Sequence, residues 1–254
     1  GCTVGIVAVD PTSPFSGGAF LGDRIRMQRH YLDPGVFIRS IATRGGTGGL
    51  PRMTRSAIRV LDASGKDVII LETVGVGQTE LEVMSVADTV VVTLVPEAGD
   101  AIQTLKAGLL EIADIFVVNK SDRAGASQFA AYLDAMLNLA ESSSSWRPPV
   151  IQTQAHTGEG IELLHQTIGE HRRALDESAQ MPERRRQRSR HEFFKTVEEA
   201  VGDQILRLER QESATAAAVA AVEGGEENPF VAAHRLLGSG ELLREWLEVL
   251  GGRP

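Results

Sequence analysis

Short, continuous apolar runs alternate with longer amphipathic stretches up to about residue 155. The runs are rich in β-branched residues and lack the strict alternation of apolar and polar positions that marks a strand with one exposed face. They occupy residues 3–10, 67–75, 88–96, 114–122 and 148–155. This continuous apolar character predicts strands that are buried on both faces of a parallel sheet.

Helical patterns fill connections between these strands, at residues 50–64, 101–112 and 126–140. Strand, loop and helix in succession predict right-handed crossovers, so we expect an α/β fold with a doubly wound, mostly parallel sheet. In such sheets ligands bind in the loops at the carboxyl ends of the strands. Those loops are therefore the places where functional residues are expected.

After about residue 160 the strand pattern stops and a helical pattern follows. Residues 161–178 and 183–212 are each typical of a helix, and Asn228 before Pro229 predicts the N-cap and first position of another. The second of these helices carries an apolar stripe formed by Phe194, Val197, Val201, Ile205 and Leu208. We expect an α/β domain over residues 1–170 and a helical extension over 171–254. The extension either forms a dimer or partner surface or packs on the sheet.

Composition narrows the classes of function. The 254 residues carry a net charge of −8 and are 42% hydrophobic and 24% charged, as in ordinary globular proteins. The acidic balance disfavours nucleic acid and anionic membranes as partners. The single cysteine, Cys2, excludes an intrachain disulfide and fits a reducing compartment. No apolar run is long enough to cross a membrane and no signal peptide is present, so we expect a cytoplasmic protein.

The clearest functional motif is Asn119-Lys120-Ser121-Asp122, which directly follows a buried strand. Its carboxylate suits the N1–H and amino group of guanine, its amide suits N7, and the lysine stem can lie along the purine. Adenine has no N1–H donor, so Asp122 would discriminate against it. The alternative is a surface turn that matches the motif by chance.

Carboxylates also follow two other strands. Glu72 precedes Gly75 at a place where phosphate-hydrolysing folds bring a carboxylate to Mg²⁺ and a glycine amide to the terminal phosphate. Asp10 ends the first strand, and Asp23 follows in a loop rich in Gly, Ser and Pro, which suits a switch segment. Carboxylates that merely cap loops are the alternative. A third polar set with one-turn helical spacing is either functional or solvated; it comprises Asp100, Gln103 and Lys106.

A phosphate-binding loop of the form G-x-x-x-x-G-K-[ST] is missing from this sequence. Gly17 and Gly22 have the glycine spacing of such a loop, but Asp23 occupies the position of the lysine. A carboxylate there would repel phosphate, which excludes this segment as a phosphate cradle.

Taken in order, the motifs resemble the methylmalonyl-CoA mutase-associated GTPases, the MeaB/ArgK type to which the human MMAA protein is related. The resemblance covers nearly all of residues 3–170 and rests on AVDPTSP, LGDRIRM, ETVGVGQ, AGDAIQTLKAGLLEIADIFVVNKSD and TGEGIELL. It implies a P-loop GTPase that binds GTP, GDP and Mg²⁺ and acts as a homodimer. It also implies a chaperone of an adenosylcobalamin-dependent methylmalonyl-CoA mutase, which gates cofactor delivery and protects the enzyme.

The resemblance further implies a role for each candidate residue. The implied metal ligands are Asp10 and Glu72. The implied catalytic residues are Glu72, Asp23 and Lys106. The implied nucleotide-binding residues are Asn119, Lys120, Asp122, Gly75, Gln154 and Ala155. The residues implied to signal to the mutase are Asp100, Gln103 and Lys106.

The sequence departs from this family at its start. The family has a strand, a phosphate-binding loop and a helix before the segment where this sequence begins, and that loop holds the phosphates and Mg²⁺. We therefore expect an N-terminally truncated chain that lacks a central strand beside residues 67–75 and hydrolyses GTP poorly or not at all. A stand-alone regulator is the alternative.

Three rival functions are weighed against this one. A nickel-chaperone GTPase needs clusters of Cys and His, whereas the sequence has one Cys and six scattered His. A nucleotide-independent module that binds the mutase would use the third switch and the helical extension. A kinase or ATPase of amino-acid transport is disfavoured because the predicted base site selects guanine.

Overall fold

The computed structural model describes residues 1–10, 27–42, 50, 52–73, 83–96, 110–139, 146–178, 180–210, 213–240, 242 and 244–245. The chain divides into two compact units, residues 1–185 and residues 186–254. The predicted division between an α/β domain over residues 1–170 and a helical extension over 171–254 stays a prediction.

The described part of the first unit contains six strands, which pair in parallel. They are β1 (Val4–Asp10), β2 (Val36–Ala42), β3 (Val68–Thr73), β4 (Val91–Leu94), β5 (Ile115–Asn119) and β6 (Val150–Thr153). They form two three-stranded sheets with the orders β2-β1-β3 and β4-β5-β6. All five predicted strands are present. Strand β2 was not predicted, because Arg39 and Ser40 interrupt its apolar run.

Strands β3 and β4 each lie at an edge of their sheet within the described residues. The sequence places the expected central strand beside β3, at this edge. That strand stays a prediction, since the described residues supply no pairing partner for the outer side of β3 or β4.

The described part of the chain contains seven α-helices. They are α1 (Arg52–Ala63), α2 (Leu110–Ile112), α3 (Ala126–Leu139), α4 (Ile161–Glu177), α5 (Gln180–Glu209), α6 (Ala214–Glu223) and α7 (Pro229–Gly238). A 3₁₀ turn covers Gln28–His30. The Asn228 side chain accepts a hydrogen bond from the Phe230 amide at 2.9 Å, which confirms the predicted cap of α7. Helix α6 was not predicted, and residues 101–109 of the predicted helix 101–112 lie outside the described residues.

Strand β5 is buried on both faces, as its continuous apolar run predicts. On one face of β5, Phe116 and Val118 pack against Leu133 of α3. On the other face, Ile115 and Val117 pack with Leu164 and Ile168 of α4. All four strand side chains are buried. Each such side chain contributes roughly 1.5–3 kcal/mol on burial. This packing fixes the position at which β5 ends and the Asn119 loop begins.

The apolar stripe of α5 divides into a buried and an exposed part. Leu208 is 2% exposed and packs with Leu236 of α7 and with Leu242, while Phe194 is 53% and Val197 43% exposed. The carboxyl end of the stripe therefore forms the core of the second unit. Within the described residues, no helix is long and apolar enough to span a bilayer.

Candidate functional site

The loop that follows β5 carries the residues predicted to recognise a base, and its backbone forms a tight turn. Lys120 adopts a φ of 58°, a left-handed conformation that costs a residue with a side chain about 1–2 kcal/mol. Backbone bonds hold the turn: the Ser121 amide donates to the Thr153 carbonyl at 3.0 Å, and the Arg123 amide donates to that of Lys120 at 3.0 Å. The side chains of Lys120 and Asp122 are exposed, and neither has a hydrogen-bond or ion-pair partner among the described residues.

Asn119 joins this loop to the loop that follows β6. Its Oδ1 accepts hydrogen bonds from Thr153 Oγ1 at 3.2 Å and from the Ala155 amide at 3.1 Å. Because two donors meet the oxygen, the orientation of the amide group is fixed, and its Nδ2 keeps two hydrogens for a further acceptor. The structure thus brings together five of the predicted nucleotide-binding residues, Asn119, Lys120, Asp122, Gln154 and Ala155.

A tight turn connects the β6 loop to helix α4. The amides of Thr157 and Gly158 donate to the Gln154 carbonyl, at 3.1 Å and 2.9 Å. Gly160 has a φ of 76°, and a Cβ added there would lie 2.2 Å from the carbonyl oxygen of Gln152. Residue 160 must therefore be glycine for the turn to close against β6. The sequence analysis used this segment only as part of the resemblance and assigned Gly160 no role.

A second group of polar atoms lies at the carboxyl end of the other sheet. Ala8 pairs with Ser40 on one side and with Glu72 on the other, so the three side chains share one face. The Oε2 atom of Glu72 and the Oγ atom of Ser40 are buried and have no hydrogen-bond partner in the described part of the protein. Ser40 was missed by sequence reasoning, because a lone serine inside a strand carries no distinctive signal.

The unpartnered oxygen of Glu72 fits a metal ligand. A buried carboxylate oxygen without a partner is costly, and a hard cation such as Mg²⁺ prefers such oxygens. Asp10 ends β1 and pairs with Ala42, but its side chain lies outside the described residues. No cluster of three or more His, Cys, Asp or Glu side chains within the described ranges could hold a metal ion.

The remaining predicted site residues lie outside the described ranges, and their implied roles stay predictions. They are Asp23, Gly75, Asp100, Gln103 and Lys106.

A buried polar network that was not predicted lies at the opposite, amino ends of β4 and β5. The Asp114 carboxylate accepts a hydrogen bond from the Val90 amide at 2.8 Å, and His171 Nε2 lies 3.3 Å from its Oδ1. His171 is fully buried, and its Nδ1 is 2.9 Å from Thr89 Oγ1. Arg184 approaches the carboxylate to 3.6 Å.

This environment makes Asp114 more acidic than a free carboxyl group. Burial raises its pKa, but contact with His171, the bond from the Val90 amide and the charge of Arg184 outweigh burial, so the pKa lies below 3.8. The network holds helices α4 and α5 to the sheet at the end remote from the candidate site, so its role is structural.

Comparison with known proteins bears on this site. The family model described as "Methylmalonyl Co-A mutase-associated GTPase MeaB" matches residues 1–210. A Pyrococcus horikoshii protein whose name designates it a GTPase is 55% identical over 200 residues, 78% of this chain and 63% of that protein. The GTPase ArgK of Escherichia coli is 34% identical over 213 residues, covering 82% of this chain and 64% of ArgK. The chain thus spans less than two thirds of the length of these two relatives.

A mitochondrial relative and a solved structure extend the comparison. The mouse methylmalonic aciduria type A homolog is 37% identical over 205 residues, 79% of this chain and 49% of that protein. The crystal structure of the LAO/AO transport system kinase superposes with a TM-score of 0.63 at 24% identity, covering 98% of this chain and 72% of that one. This similarity shows the fold, and the predicted α/β fold of the P-loop GTPase type is confirmed.

Proposed function

The chain belongs to the family of methylmalonyl-CoA mutase-associated GTPases, and on this premise we propose that it binds GTP and GDP. Its hydrolysis of GTP is proposed to be weak, because the sequence contains no loop of the form G-x-x-x-x-G-K-[ST] to hold the phosphates. In this proposal it acts as a chaperone of an adenosylcobalamin-dependent methylmalonyl-CoA mutase, gating delivery of the cofactor and protecting the enzyme. The observation that carries the nucleotide part is the joined pair of loops around Asn119, beside the exposed Asp122 carboxylate, which has no hydrogen-bond or ion-pair partner among the described residues.

Guanine would be recognised through its polar edges. Asn119 offers Nδ2 hydrogens to N7, because its oxygen is already bonded to Thr153 and Ala155. Asp122 accepts from N1–H and the amino group, which adenine cannot supply in the same pattern. The aliphatic stem of Lys120 covers the purine face. Gln154 and Ala155 line the other side of the base.

Magnesium would be held from the first sheet by Glu72, together with Asp10. When bound, the ion supplies positive charge to the phosphate oxygens. Glu72 lies near the end of β3, and its Oε2 atom has no hydrogen-bond partner in the part of the chain that the structure describes. In this part of the proposal the amide of Gly75 would contact the terminal phosphate. Asp23, in the first switch, and Lys106 would be the further catalytic residues.

The proposal for the partner rests on the family. Asp100, Gln103 and Lys106 would form the switch that signals to the mutase, and the helical extension would form a homodimer. The exposed aromatic side chains of α5 support the dimer, since Phe193 is 63% and Phe194 53% exposed.

The base specificity and the chaperone role can be tested in one experiment. Wild-type protein and the Asp122→Asn variant are titrated with GDP and XDP, and each is then tested for capture of the mutase with GTP, with XTP and without nucleotide. The amide of the variant can donate to the extra carbonyl of xanthine. We expect GDP affinity to fall roughly tenfold to a hundredfold while XDP affinity rises. XTP should then replace GTP in controlling mutase capture by the variant.

Asp62→Asn in α1 is the matched control, because Asp62 is an exposed aspartate whose carboxylate makes no contact in the described part of the chain. Unchanged GDP affinity in Asp122→Asn would refute the guanine site. Capture of the mutase that ignores nucleotide in both proteins would instead favour the nucleotide-independent module.

A further inference from the structure

The turn between β6 and α4, residues 153–160, is closed by two contacts between the same pair of residues. The Gln154 amide donates to the Glu159 carbonyl oxygen at 2.9 Å, and Gln154 Nε2 donates to Glu159 Oε2 at 2.5 Å. The main-chain contact closes the turn. The side-chain contact also fixes the direction of the Gln154 amide group, so a residue at the far end of the turn orients one that lies in the base loop.

We propose that Glu159 is a positioning residue for guanine recognition, acting through Gln154 and Ala155. This inference rests on the proposed function and deepens it. The peptide bond between Gln154 and Ala155 carries the N–H that lies 3.1 Å from Asn119 Oδ1. A change in the backbone ψ torsion of Gln154 therefore turns this N–H, which donates to Asn119 Oδ1.

The surrounding backbone gives Glu159 little freedom, which makes it suited to this task. It stands between Gly158, with a φ of 84°, and Gly160, with a φ of 76°. Gly160 is pressed against the Gln152 carbonyl, and Thr157 Oγ1 donates to the Gln154 carbonyl at 3.1 Å. The backbone of the turn and the contact between Glu159 and Gln154 are thus formed without a ligand, which lowers the cost of ordering the loop on binding.

A purely structural role for the pair predicts a different outcome. Exposed polar contacts of this kind contribute little to global stability, because solvent competes for both groups. Loss of the contact should consequently leave the melting temperature nearly unchanged. If the contact orients the base loop, its loss should instead appear in guanine affinity and in the protection of the Ala155 amide.

The test compares Glu159→Ala and Glu159→Gln with the control Glu162→Ala. Glu162 is an exposed glutamate three residues further on, and it accepts a hydrogen bond from Gln166 instead. GDP affinity is measured by calorimetry, and exchange of the Ala155 amide with deuterium is followed without nucleotide. We expect Glu159→Ala to weaken GDP binding about fivefold and to speed exchange by a similar factor. Glu159→Gln should restore both, because its amide oxygen can still accept from Gln154.

The outcomes separate this inference from the proposed function. Absence of GDP binding by the wild type overturns the proposed function itself. GDP binding by the wild type that is the same in Glu159→Ala, with unchanged exchange, overturns only the role of Glu159. A loss of affinity in Glu162→Ala equal to that in Glu159→Ala also overturns it, because the effect would then be one of surface charge.

Discussion

At the scale of residues, a single buried oxygen atom is the clearest support for the proposed metal site. Glu72 Oε2 is buried beside a well-packed sheet and has no partner among the described residues, although an unpaired buried carboxylate oxygen destabilises a fold. Sites that bind ligands commonly retain such unfavourable groups, because the bound ligand supplies the missing partner. Replacing the Glu72 carboxylate with a neutral group should therefore raise the stability of the fold and weaken the binding of metal.

The prediction concerns Glu72→Gln, which keeps the shape of the side chain and removes its charge. Without Mg²⁺ we expect the variant to be about 1 kcal/mol more stable, because a neutral amide is less costly to bury than an unpaired carboxylate. Mg²⁺ should strengthen GTP binding by the wild type, and the variant should lose affinity for Mg²⁺ by about tenfold to a hundredfold. Urea unfolding and titration with Mg²⁺ at fixed GTP measure the two effects.

Glu111→Gln in α2 serves as the control for Glu72→Gln, because Glu111 is exposed. A Glu72→Gln variant that binds Mg²⁺ as the wild type does would exclude Glu72 as a ligand. Loss of nucleotide affinity to the same extent with and without Mg²⁺ would also count against the metal role.

The residues of the proposed base site were identified from the sequence, and Ser40 was not. Asn119, Lys120 and Asp122 stand at fixed spacing after a continuous apolar run, so both the strand and the loop chemistry are visible in the sequence. Ser40 is set beside Ala8 only by strand pairing, which joins segments that are distant in the chain. The contact between Gln154 and Glu159 likewise depends on turn geometry that residue spacing alone does not specify.

At the scale of elements, Asp114 ties the amino ends of β4 and β5 to helices α4 and α5. Its pKa is lower in the folded protein than the ordinary 3.8, because His171, the Val90 amide and Arg184 outweigh the effect of burial. A carboxyl group with a lowered pKa stabilises the fold above its unfolded pKa, and this contribution disappears as pH falls through the folded value. Acid should therefore loosen this attachment.

Asp114→Asn tests that linkage. At pH 7 we expect the variant to be less stable by about 1–3 kcal/mol, because the contacts of the Asp114 carboxylate with His171, the Val90 amide and Arg184 are weakened or lost. The difference from the wild type should be fully present above the ordinary value of 3.8 and should shrink as pH falls below it, through the lower pKa of the folded protein. Urea unfolding across this range measures both proteins, with Asp62→Asn as the control. A stability difference that does not shrink as pH falls below 3.8 would contradict the assigned pKa shift.

The elements themselves were predictable wherever one periodicity dominated. Helix α5 and strand β5 carry uninterrupted patterns, and the structure has both. Helix α6 has a nearly uniform run of alanine and valine, in which neither a helical stripe nor a strand alternation stands out. Strand β2 contains an arginine and a serine that its position beside β1 accommodates, so tertiary pairing overrode the local signal.

At the scale of the whole molecule, the chain leaves apolar surface exposed in its helical unit. Phe194 and Val197 lie one turn apart on α5 and are 53% and 43% exposed, and the Arg190 guanidinium lies 5.8 Å from the Phe194 ring. Exposed apolar groups at this spacing are typical of a helix that meets another helix. Within the proposed homodimer, this part of the stripe is the contact surface.

The double variant Phe194→Gln with Val197→Gln tests the dimer. Glutamine favours helix formation, so α5 should persist while its apolar face becomes polar. In a twofold dimer each substitution acts twice, and four lost side chains at about 1 kcal/mol each give about 4 kcal/mol. That loss corresponds to roughly a thousandfold weaker association, so analytical ultracentrifugation at micromolar concentration should show a dimer for the wild type and a monomer for the variant.

The control for this experiment is Leu139→Gln, which removes an apolar side chain that is 85% exposed at the end of α3, outside the helical unit. The Leu139→Gln variant should remain dimeric, because the substitution lowers the hydrophobicity of the surface but does not change α5. A double variant that stays dimeric would exclude this stripe as the dimer contact. A monomeric wild type would exclude the proposed homodimer. Capture of the mutase by the same double variant would then test the alternative, in which the stripe is a surface for the partner. Weaker capture would assign the stripe to the contact with the partner enzyme. In a 1:1 complex only two substituted side chains lie in the interface, instead of the four in a twofold dimer, so binding should weaken by about thirtyfold.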